Sequence, residues 1–165
     1  MTNAIRVGLG HDTHRLIAGT EIVLGGVRIP FEYSLAGHSD ADVLLHAITD
    51  ALLGAAAIRD IGDLFPDSDA ANSGRSSVEM LQIAYQQVRE KGFVLSNLDC
   101  ILFAEKPKLG PLKQTIQKRV AEILEVEPDR IGLKAKTGEK VGPIGRMEAI
   151  SAEAVVLIEH ATSSF

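Results

Sequence analysis

The run DVLLHAITDALLGAAA, residues 42–57, has the strongest structural signal in this chain. It favours a helix that is apolar on nearly every side, so we expect the helix to be buried all round. Ser39 lies where an N-cap would, with Asp42 three residues on as an acidic variant of the capping box. Asp42, His46 and Asp50 are the polar exceptions. Because they are spaced four apart, they form one stripe that must face polar partners.

Strand-like segments surround this central helix. They cover residues 5–9, 21–24, 27–29, 94–104, 131–135 and 148–158. The two short ones flank Gly25 and Gly26, which predicts a hairpin near the start of the chain. Two more helices are predicted, one from Ser76 or Ser77 to about Lys91 and one from Pro111 to about residue 124. This order predicts an α+β fold, with a four- to five-stranded mixed sheet and helices packed on one face.

Composition limits the classes of function. The 165 residues, of which 45% are hydrophobic and 24% charged, fit a single domain over residues 1–165. A single cysteine, Cys100, and the lack of an apolar leader at the N-terminus indicate a cytoplasmic protein. No apolar run approaches the roughly 20 residues of a membrane span. The net charge of −5, without a concentrated basic face, argues against a nucleic-acid partner.

Asp12, His14 and His46 form a candidate metal constellation. In an extended chain Asp12 and His14 point to the same face, and an unpaired His46 would be costly to bury. Two histidines and one carboxylate are a common catalytic zinc set that leaves a fourth position open. Spacing alone leaves two interpretations: a metal centre, or a turn hydrogen bond between Asp12 and His14 beside a satisfied core histidine.

Two further segments have polar patterns that suit a ligand. His38 and Ser39 precede the central helix, so their side chains and the first free backbone N–H groups could seat an anion; alternatively, Ser39 is a simple cap. Residues 59–74 are rich in Asp, Gly, Ser and Asn and have no period, which predicts a long loop. Loops of this length are often functional or mobile.

Four segments together resemble the 2-C-methyl-D-erythritol 2,4-cyclodiphosphate synthase family. They are DTH at 12–14, HSDADVLLH at 38–46, DIGDLFPDSD at 60–69 and KAKTGEKVGPIGRME at 134–148. The resemblance implies a homotrimer around a three-fold axis, with active sites between subunits. It also implies conversion of 4-diphosphocytidyl-2-C-methyl-D-erythritol 2-phosphate to 2-C-methyl-D-erythritol 2,4-cyclodiphosphate with release of CMP, in the non-mevalonate route to isoprenoid precursors.

The resemblance assigns roles to the matched residues. Asp12, His14 and His46 would hold Zn²⁺ or another divalent transition metal, and Glu139 would bind Mg²⁺ or Mn²⁺. The catalytic residues would be His38 and Thr137, which stabilise the transition state. Five of these six, all but His46, would also contact the substrate. The other substrate-binding residues would be Thr13, Ser39, Asp60, Ile61, Gly62, Phe65, Pro66, Asp67, Ser68, Asp69, Ala104, Glu105, Lys106, Pro107, Lys108, Leu109, Gly110, Lys136, Gly138, Pro143 and Arg146.

Within that set, the resemblance implies that residues 60–69 receive the methylerythritol hydroxyls and that 104–110 hold cytosine, largely through backbone groups. Alternatives stay open for three positions. Ser68 and Asp69 could belong to a solvated acidic turn, and Lys106 could be an ordinary solvated charge.

The last segment departs from the family pattern. Pro143 replaces a usual aromatic residue, and Met147 and Ala149 replace the glycines that flank Glu148. The resemblance therefore implies weak or absent binding of isoprenoid diphosphates at the trimer axis, with Arg146 still able to pair with Glu148.

Two other functions compete with this interpretation. One is a zinc phosphodiesterase that uses the same metal set to activate water. The other is a trimeric nucleotide- or metal-binding module without turnover. Retention of His38, Thr137 and Glu139 favours an enzyme, because a binding module has no need of groups that stabilise a transition state.

Overall fold

The computed structural model of this chain describes residues 5–161. The strands are β1 (Ile5–Ala18), β2 (Glu21–Leu24), β3 (Val27–Pro30), β4 (Tyr33–Leu35), β5 (Phe93–Phe103), β6 (Ile131–Lys136) and β7 (Ala149–His160). The α-helices are α1 (Val43–Ala55), α2 (Ile61–Leu64), α3 (Ser77–Glu90), α4 (Lys113–Leu124) and α5 (Gly142–Gly145). Short 3₁₀ turns cover Ala70–Asn72, Gly110–Leu112 and Pro128–Arg130.

The main sheet has five strands in the order β4-β1-β7-β5-β6. β5 and β6 pair in parallel and the other neighbours are antiparallel, so the sheet is mixed. Helices pack on this sheet, which confirms the α+β prediction. The predicted hairpin also forms, but β2 and β3 make a separate two-stranded sheet. The sequence prediction missed β4 and ended β1 too early, at residue 9.

Glycines let α1 lie directly against β1. A Cβ atom added to Gly8 would come within 1.8 Å of the Ala51 carbonyl oxygen, and one added to Gly10 would come equally close, 1.8 Å, to that of Ala47. Backbone therefore packs on backbone along this contact. Because side chains alternate along a strand, Asp12 and His14 continue the row begun by Gly8 and Gly10 and point toward the same helix.

The start of α1 differs from the prediction. The N-cap is Asp42, not Ser39, and its carboxylate accepts the backbone N–H of Leu45 at 3.1 Å. The same carboxylate also accepts the N–H groups of Gly25 and Gly26, at 2.9 and 2.7 Å. Both glycines have positive φ, 61° and 74°, which favours glycine at a hairpin turn. Asp42 thus ties the hairpin to the helix, and the extra partners explain why the cap lies here.

The predicted loop at 59–74 contains local structure. Asp60 caps α2 by accepting the Asp63 N–H at 2.8 Å, and Asp69 caps the following 3₁₀ turn by accepting the Ala71 N–H at 2.9 Å. Aspartates favour such caps, because the short side chain reaches a backbone N–H two or three residues ahead. Two of the acidic residues that suggested an irregular loop therefore start its short helices.

One face of the sheet exposes apolar side chains, and we call it the outer face. On β1, Ile5, Val7 and Leu9 are 60%, 65% and 68% exposed. Val155 on β7, which pairs with Leu9, is 43% exposed. Adjacent exposed apolar residues of this kind mark an interaction surface more often than a solvated one. Separately, within residues 5–161 the helices are too short or too polar to cross a bilayer.

Candidate active site

Asp12, His14 and His46 meet in space. The Asp12 Oδ2 atom lies 2.8 Å from His14 Nε2 and 3.0 Å from His46 Nδ1, and the two nitrogens are 3.1 Å apart. Ligands of a tetrahedral zinc ion with bonds of about 2.0–2.1 Å are separated by roughly 3.3 Å. The three atoms thus form a compact group that could hold a metal ion. The geometry expected from the alternation of β1 and the polar stripe of α1 is confirmed.

The electrostatics of the three groups suit a cation. Burial alone would raise the pKa of Asp12, but hydrogen bonds with His14 and His46, together with their charge, hold it well below its usual range. Burial likewise opposes the charge on His14, yet the hydrogen bond and charge of Asp12 and the carbonyl of Ala36 raise its pKa. A carboxylate that stays ionised between two imidazoles favours positive charge at this point.

In each histidine, the ring nitrogen that faces away from Asp12 also has a hydrogen-bond partner. His14 Nδ1 lies 2.5 Å from the carbonyl oxygen of Ala36, which leaves its Nε2 toward Asp12. His46 Nε2 lies 2.8 Å from Ser77 Oγ and 3.2 Å from Ser39 Oγ, which leaves its Nδ1 toward Asp12. Partners on the far ring nitrogen are typical of metal-binding histidines, because they fix the orientation of the ring.

Asp12, His14 and His46, which we call the metal triad because they could hold a metal ion, border a cavity of about 230 Å³. Its wall combines the triad with the segment before α1 and the loop after it: Gly37, His38, Ser39, Ile61, Gly62, Phe65, Asp67, Asn72 and Met80 also line it. His38 Nε2 lies 3.8 Å from Asp67 Oδ2, and both side chains are 73% exposed. Several of the predicted substrate-binding positions therefore surround the metal triad.

The other residues of the loop that were predicted to bind the substrate do not line this cavity. Asp60 borders a separate cavity of about 360 Å³ beside the end of α1, together with Asp50. Pro66, Ser68 and Asp69 are exposed. Thr13 follows Asp12 on β1, so its side chain points to the outer face, where its Oγ1 lies 3.1 Å from His11 Nε2.

A second cavity, of about 500 Å³, lies at the ends of β5 and β6. It is lined by Ala104, Glu105, Pro107, Lys108, Leu109, Gly110, Pro111, Lys113, Ala135, Lys136 and Thr137. Most residues of the predicted cytosine segment are here, whereas Lys106 is exposed and not in the lining. No residue of the described chain lines both cavities, so the structure does not bring Thr137 to the metal triad of its own chain.

The turn after β6 presents Thr137 and Glu139 to solvent. Thr137 Oγ1 accepts the Glu139 N–H at 3.2 Å, and the Gly138 N–H donates to Glu105 Oε2 at 3.0 Å. Glu139 has a positive φ of 51°, a conformation that a non-glycine residue adopts at some cost. Beyond the turn, Arg146 Nε and Glu148 Oε1 pair at 2.7 Å, as predicted. Pro143 lies in α5, between the turn and this pair.

Three polar residues around the site were not predicted to belong to it. Ser77 Oγ contacts His46 Nε2 and donates to the Asp40 carboxylate, and Ser77 is fully buried. Asp50, on the polar stripe of α1, accepts the Ile61 N–H at 2.7 Å and so anchors the start of α2. From the sequence, Ser77 is predicted only as a possible helix cap. Its burial, which sequence does not show, is what distinguishes it from the neighbouring Ser76.

Comparison with known proteins agrees with this geometry. The model of the YgbB family matches residues 5–159, and a 2-C-methyl-D-erythritol 2,4-cyclodiphosphate synthase from Synechococcus sp. (strain JA-2-3B'a(2-13)) is 51% identical over 154 residues, 93% of this chain and 98% of that protein. This chain belongs to the YgbB family. The family assignment confirms the resemblance seen in the sequence, which spans nearly the whole chain.

Solved structures of the family have the same fold. The bifunctional IspDF from Campylobacter jejuni superposes with a TM-score of 0.93 at 41% identity over 97% of this chain. This chain spans 43% of that longer protein. IspF from Plasmodium falciparum, solved as a CDP complex, superposes with a TM-score of 0.85 at 32% identity, covering 98% of this chain and 100% of that one.

Proposed function

We propose that this chain is a metal-dependent cyclising lyase that converts 4-diphosphocytidyl-2-C-methyl-D-erythritol 2-phosphate to 2-C-methyl-D-erythritol 2,4-cyclodiphosphate and CMP. The observation that carries the proposal is the convergence of Asp12, His14 and His46 in a cavity shared with His38 and Ser39. The Synechococcus relative, whose name states this product, supports the choice of reaction.

The reaction needs positioning more than proton transfer. The 2-phosphate of the substrate forms a bond to the β-phosphorus, and the bond from that phosphorus to the bridging oxygen of CMP breaks, so no water is consumed. Phosphate is already a nucleophile and CMP is already a competent leaving group. The barrier lies in bringing anionic groups together, which preorganised donors and cations relieve.

The residues of this chain divide that task. Asp12, His14 and His46 would hold Zn²⁺ or another divalent transition metal, which would act as a Lewis acid on the β-phosphate. His38, on the exposed rim of the same cavity, would donate to phosphoryl oxygens. The polar loop with Gly62 and Asp67 would receive the methylerythritol hydroxyls, because backbone and carboxylate acceptors suit a polyol.

The second cavity would hold the cytidine part of the substrate. Its wall is mostly the backbone-rich segment 104–110, and the CDP complex of the Plasmodium falciparum relative supports a nucleotide ligand. Thr137 would stabilise the transition state, and exposed Glu139 would contribute one carboxylate to Mg²⁺ or Mn²⁺, ions that retain water and phosphate ligands. Lys136, which lines this cavity, would offset phosphate charge.

We also propose a homotrimer in which each active site lies between two subunits. Two observations support it: the outer face exposes a row of apolar side chains, and Thr137 lies on a different cavity from the metal triad of its own chain. Arg146 and Pro143 would approach the three-fold axis. A cytoplasmic location would agree with the buried free thiol of Cys100.

Association through the outer face can be tested by one substitution. Leu9→Asp places a charge at a side chain that is 68% exposed, so it should leave the monomer folded while the trimer dissociates. Light scattering should give the trimer mass for the wild type and a smaller mass for the variant. The control, Gln82→Asp at an exposed position of α3, should remain a trimer. A wild type that is monomeric at all concentrations would contradict the proposal.

The reaction itself is tested by phosphorus NMR. Purified protein, Mg²⁺ and the diphosphocytidyl substrate should yield a cyclic diphosphate and free CMP in equal amounts. A linear, hydrolysed product would instead indicate the phosphodiesterase, and nucleotide binding without turnover would indicate the binding module. Either of those two results would overturn the proposed reaction.

A further inference from the structure

We propose that Asp40 and Ser77 are positioning residues that set the tautomer of His46, so that its Nδ1 presents a lone pair to the metal before any metal binds. This inference rests on the proposed function for the use of the site, but its observations are independent of the reaction. They concern one run of hydrogen bonds, from Asp40 through Ser77 to His46.

The direction of the hydrogen bonds follows from counting protons. The Ser77 hydroxyl donates to Asp40 Oδ1, and the Ser77 backbone N–H donates to the other oxygen, Asp40 Oδ2, at 3.2 Å. A carboxylate only accepts, so the single hydroxyl proton of Ser77 is directed at Asp40. Ser77 Oγ can then only accept from His46 Nε2, 2.8 Å away, which must carry the proton.

The proton on Nε2 of His46 determines the state of its other ring nitrogen, Nδ1. A neutral imidazole with its proton on Nε2 has a lone pair on Nδ1. In this structure Nδ1 is the atom of His46 that faces Asp12 Oδ2 and His14 Nε2, at 3.0 and 3.1 Å. A carboxylate behind the histidine thus acts through a serine hydroxyl, a variant of the direct carboxylate–histidine contact common at metal sites.

A competing arrangement exists and is tested below. Ser39 Oγ lies 3.2 Å from His46 Nε2 and accepts the Ala41 N–H at 3.1 Å. Its own hydroxyl proton is free to point at Nε2, which would place the imidazole proton on Nδ1, where it would be donated to Asp12 Oδ2 at 3.0 Å and block the metal. The shorter contact with Ser77, and the burial of Ser77 at 0% exposure, favour the arrangement that frees Nδ1.

The link also connects the metal site to the loop that borders it. Asp40 lies in the segment before α1, and Ser77 is the first residue of α3, directly after the loop at 59–74. A second contact joins the same two segments, because the Gly74 N–H donates to the His38 carbonyl at 2.8 Å. The position of the loop end and the orientation of His46 are therefore set together.

The first test needs no substitution. Nitrogen-15 NMR of the metal-free wild type at about pH 8, where an ordinary imidazole is neutral, reports which ring nitrogen of His46 carries the proton. We expect the Nε2–H tautomer. In Asp40→Asn the amide can donate to Ser77 Oγ, which lets Ser77 donate to His46 and shifts the population toward Nδ1–H. A wild-type spectrum with the proton on Nδ1 would overturn the inference.

The second test measures metal affinity rather than activity. Competition with a chromophoric chelator should show Zn²⁺ binding to Asp40→Asn weakened by roughly 10- to 100-fold, the range for lost outer partners of a metal ligand. Ser77→Ala should also bind more weakly. In the double variant, Asp40→Asn should add less than about twofold to Ser77→Ala, because the path from Asp40 passes through Ser77.

Controls separate this inference from its alternatives. Ser76→Ala, at an exposed neighbour without a side-chain cap bond, should leave both affinity and tautomer unchanged. If Asp40→Asn weakens Zn²⁺ binding by the same factor in the wild type and in Ser77→Ala, Asp40 does not act through Ser77 and the inference fails. If the wild type binds no Zn²⁺ at all, the proposed function fails, while the tautomer measurement still decides the inference.

Discussion

The metal triad is fully assembled within one chain, whereas the turn at residues 137–139 has few contacts with the rest of its own chain. The triad is enclosed by β1 and α1, its ligand atoms lie within 4.8 Å of one another, and both imidazoles have partners on their far nitrogens. The turn is exposed, and Thr137 and Glu139 contact mainly each other. Under the proposed function, the half that would hold the metal is preorganised by folding, whereas the half that would meet the substrate and a second subunit is open.

Removal of a ligand from the metal triad should have the largest effect. His46→Ala should abolish stoichiometric metal content and lower turnover by more than about 1000-fold, because Lewis-acid stabilisation is worth several kcal/mol. Elemental analysis and phosphorus NMR measure the two effects. His160→Ala, at an exposed histidine at the end of β7, is the control and should retain both. A metal-free His46→Ala that is fully active would remove the ion from the mechanism.

Substitutions in separate chains can test whether the metal triad and the turn at residues 137–139 of one active site come from different subunits. Thr137→Ala should lower turnover by roughly 100-fold, as expected for a lost transition-state donor, while metal content stays normal. If a site takes its metal half from one subunit and its turn from the next, co-expressed His46→Ala and Thr137→Ala chains should assemble about a quarter of their sites from two intact halves. Turnover near a quarter of the wild type would support shared sites. Turnover no higher than that of either variant alone would place each site within one chain.

The contrast also explains how much could be predicted from sequence. The triad was predictable because strand alternation places Asp12 and His14 on one face, and the polar stripe of α1 places His46 opposite. Thr137 and Glu139 follow no such period, and only family resemblance singled them out. Ser77 was missed because it lies 31 residues from His46 and its partners become visible only when the chain folds.

The errors in the predicted fold, at β1, β4 and the cap of α1, also have physical causes. β1 was predicted to end at residue 9 because its second half is polar, yet polar side chains there line the metal site or face β7 neighbours on the outer face. β4 has three residues, too few to show a period. The cap of α1 was placed at Ser39 because sequence does not reveal that the hairpin glycines supply Asp42 with two more N–H groups.

The close contact between α1 and β1 offers a sharper test of preorganisation. Gly10→Ala would place a methyl group 1.8 Å from the Ala47 carbonyl, so the helix must shift, at a cost of about 1–3 kcal/mol in the free energy of unfolding. Metal affinity should fall as well, because His46 moves with the helix. Gly54→Ala, where nothing lies within 4 Å of the added atom, should stabilise the helix by about 0.5–1 kcal/mol. Denaturant melts of both variants measure the difference, and equal effects would show that the glycine contact does not position the site.

The smallest expected effect is the response of metal affinity to pH. A metal ion must displace the proton from His14, whose pKa is raised because Asp12 and the Ala36 carbonyl outweigh the effect of burial. Zn²⁺ affinity should therefore climb by up to about tenfold per pH unit until the pH passes that raised pKa, and then level off. Asp12 should add nothing to this slope, since its contacts with His14 and His46 outweigh the effect of burial and keep its pKa well below the working range. Calorimetry in buffers of different ionisation enthalpy counts the protons released. His160→Gln should leave the slope unchanged, and an affinity that is flat with pH would mean that the triad is already deprotonated before the metal arrives.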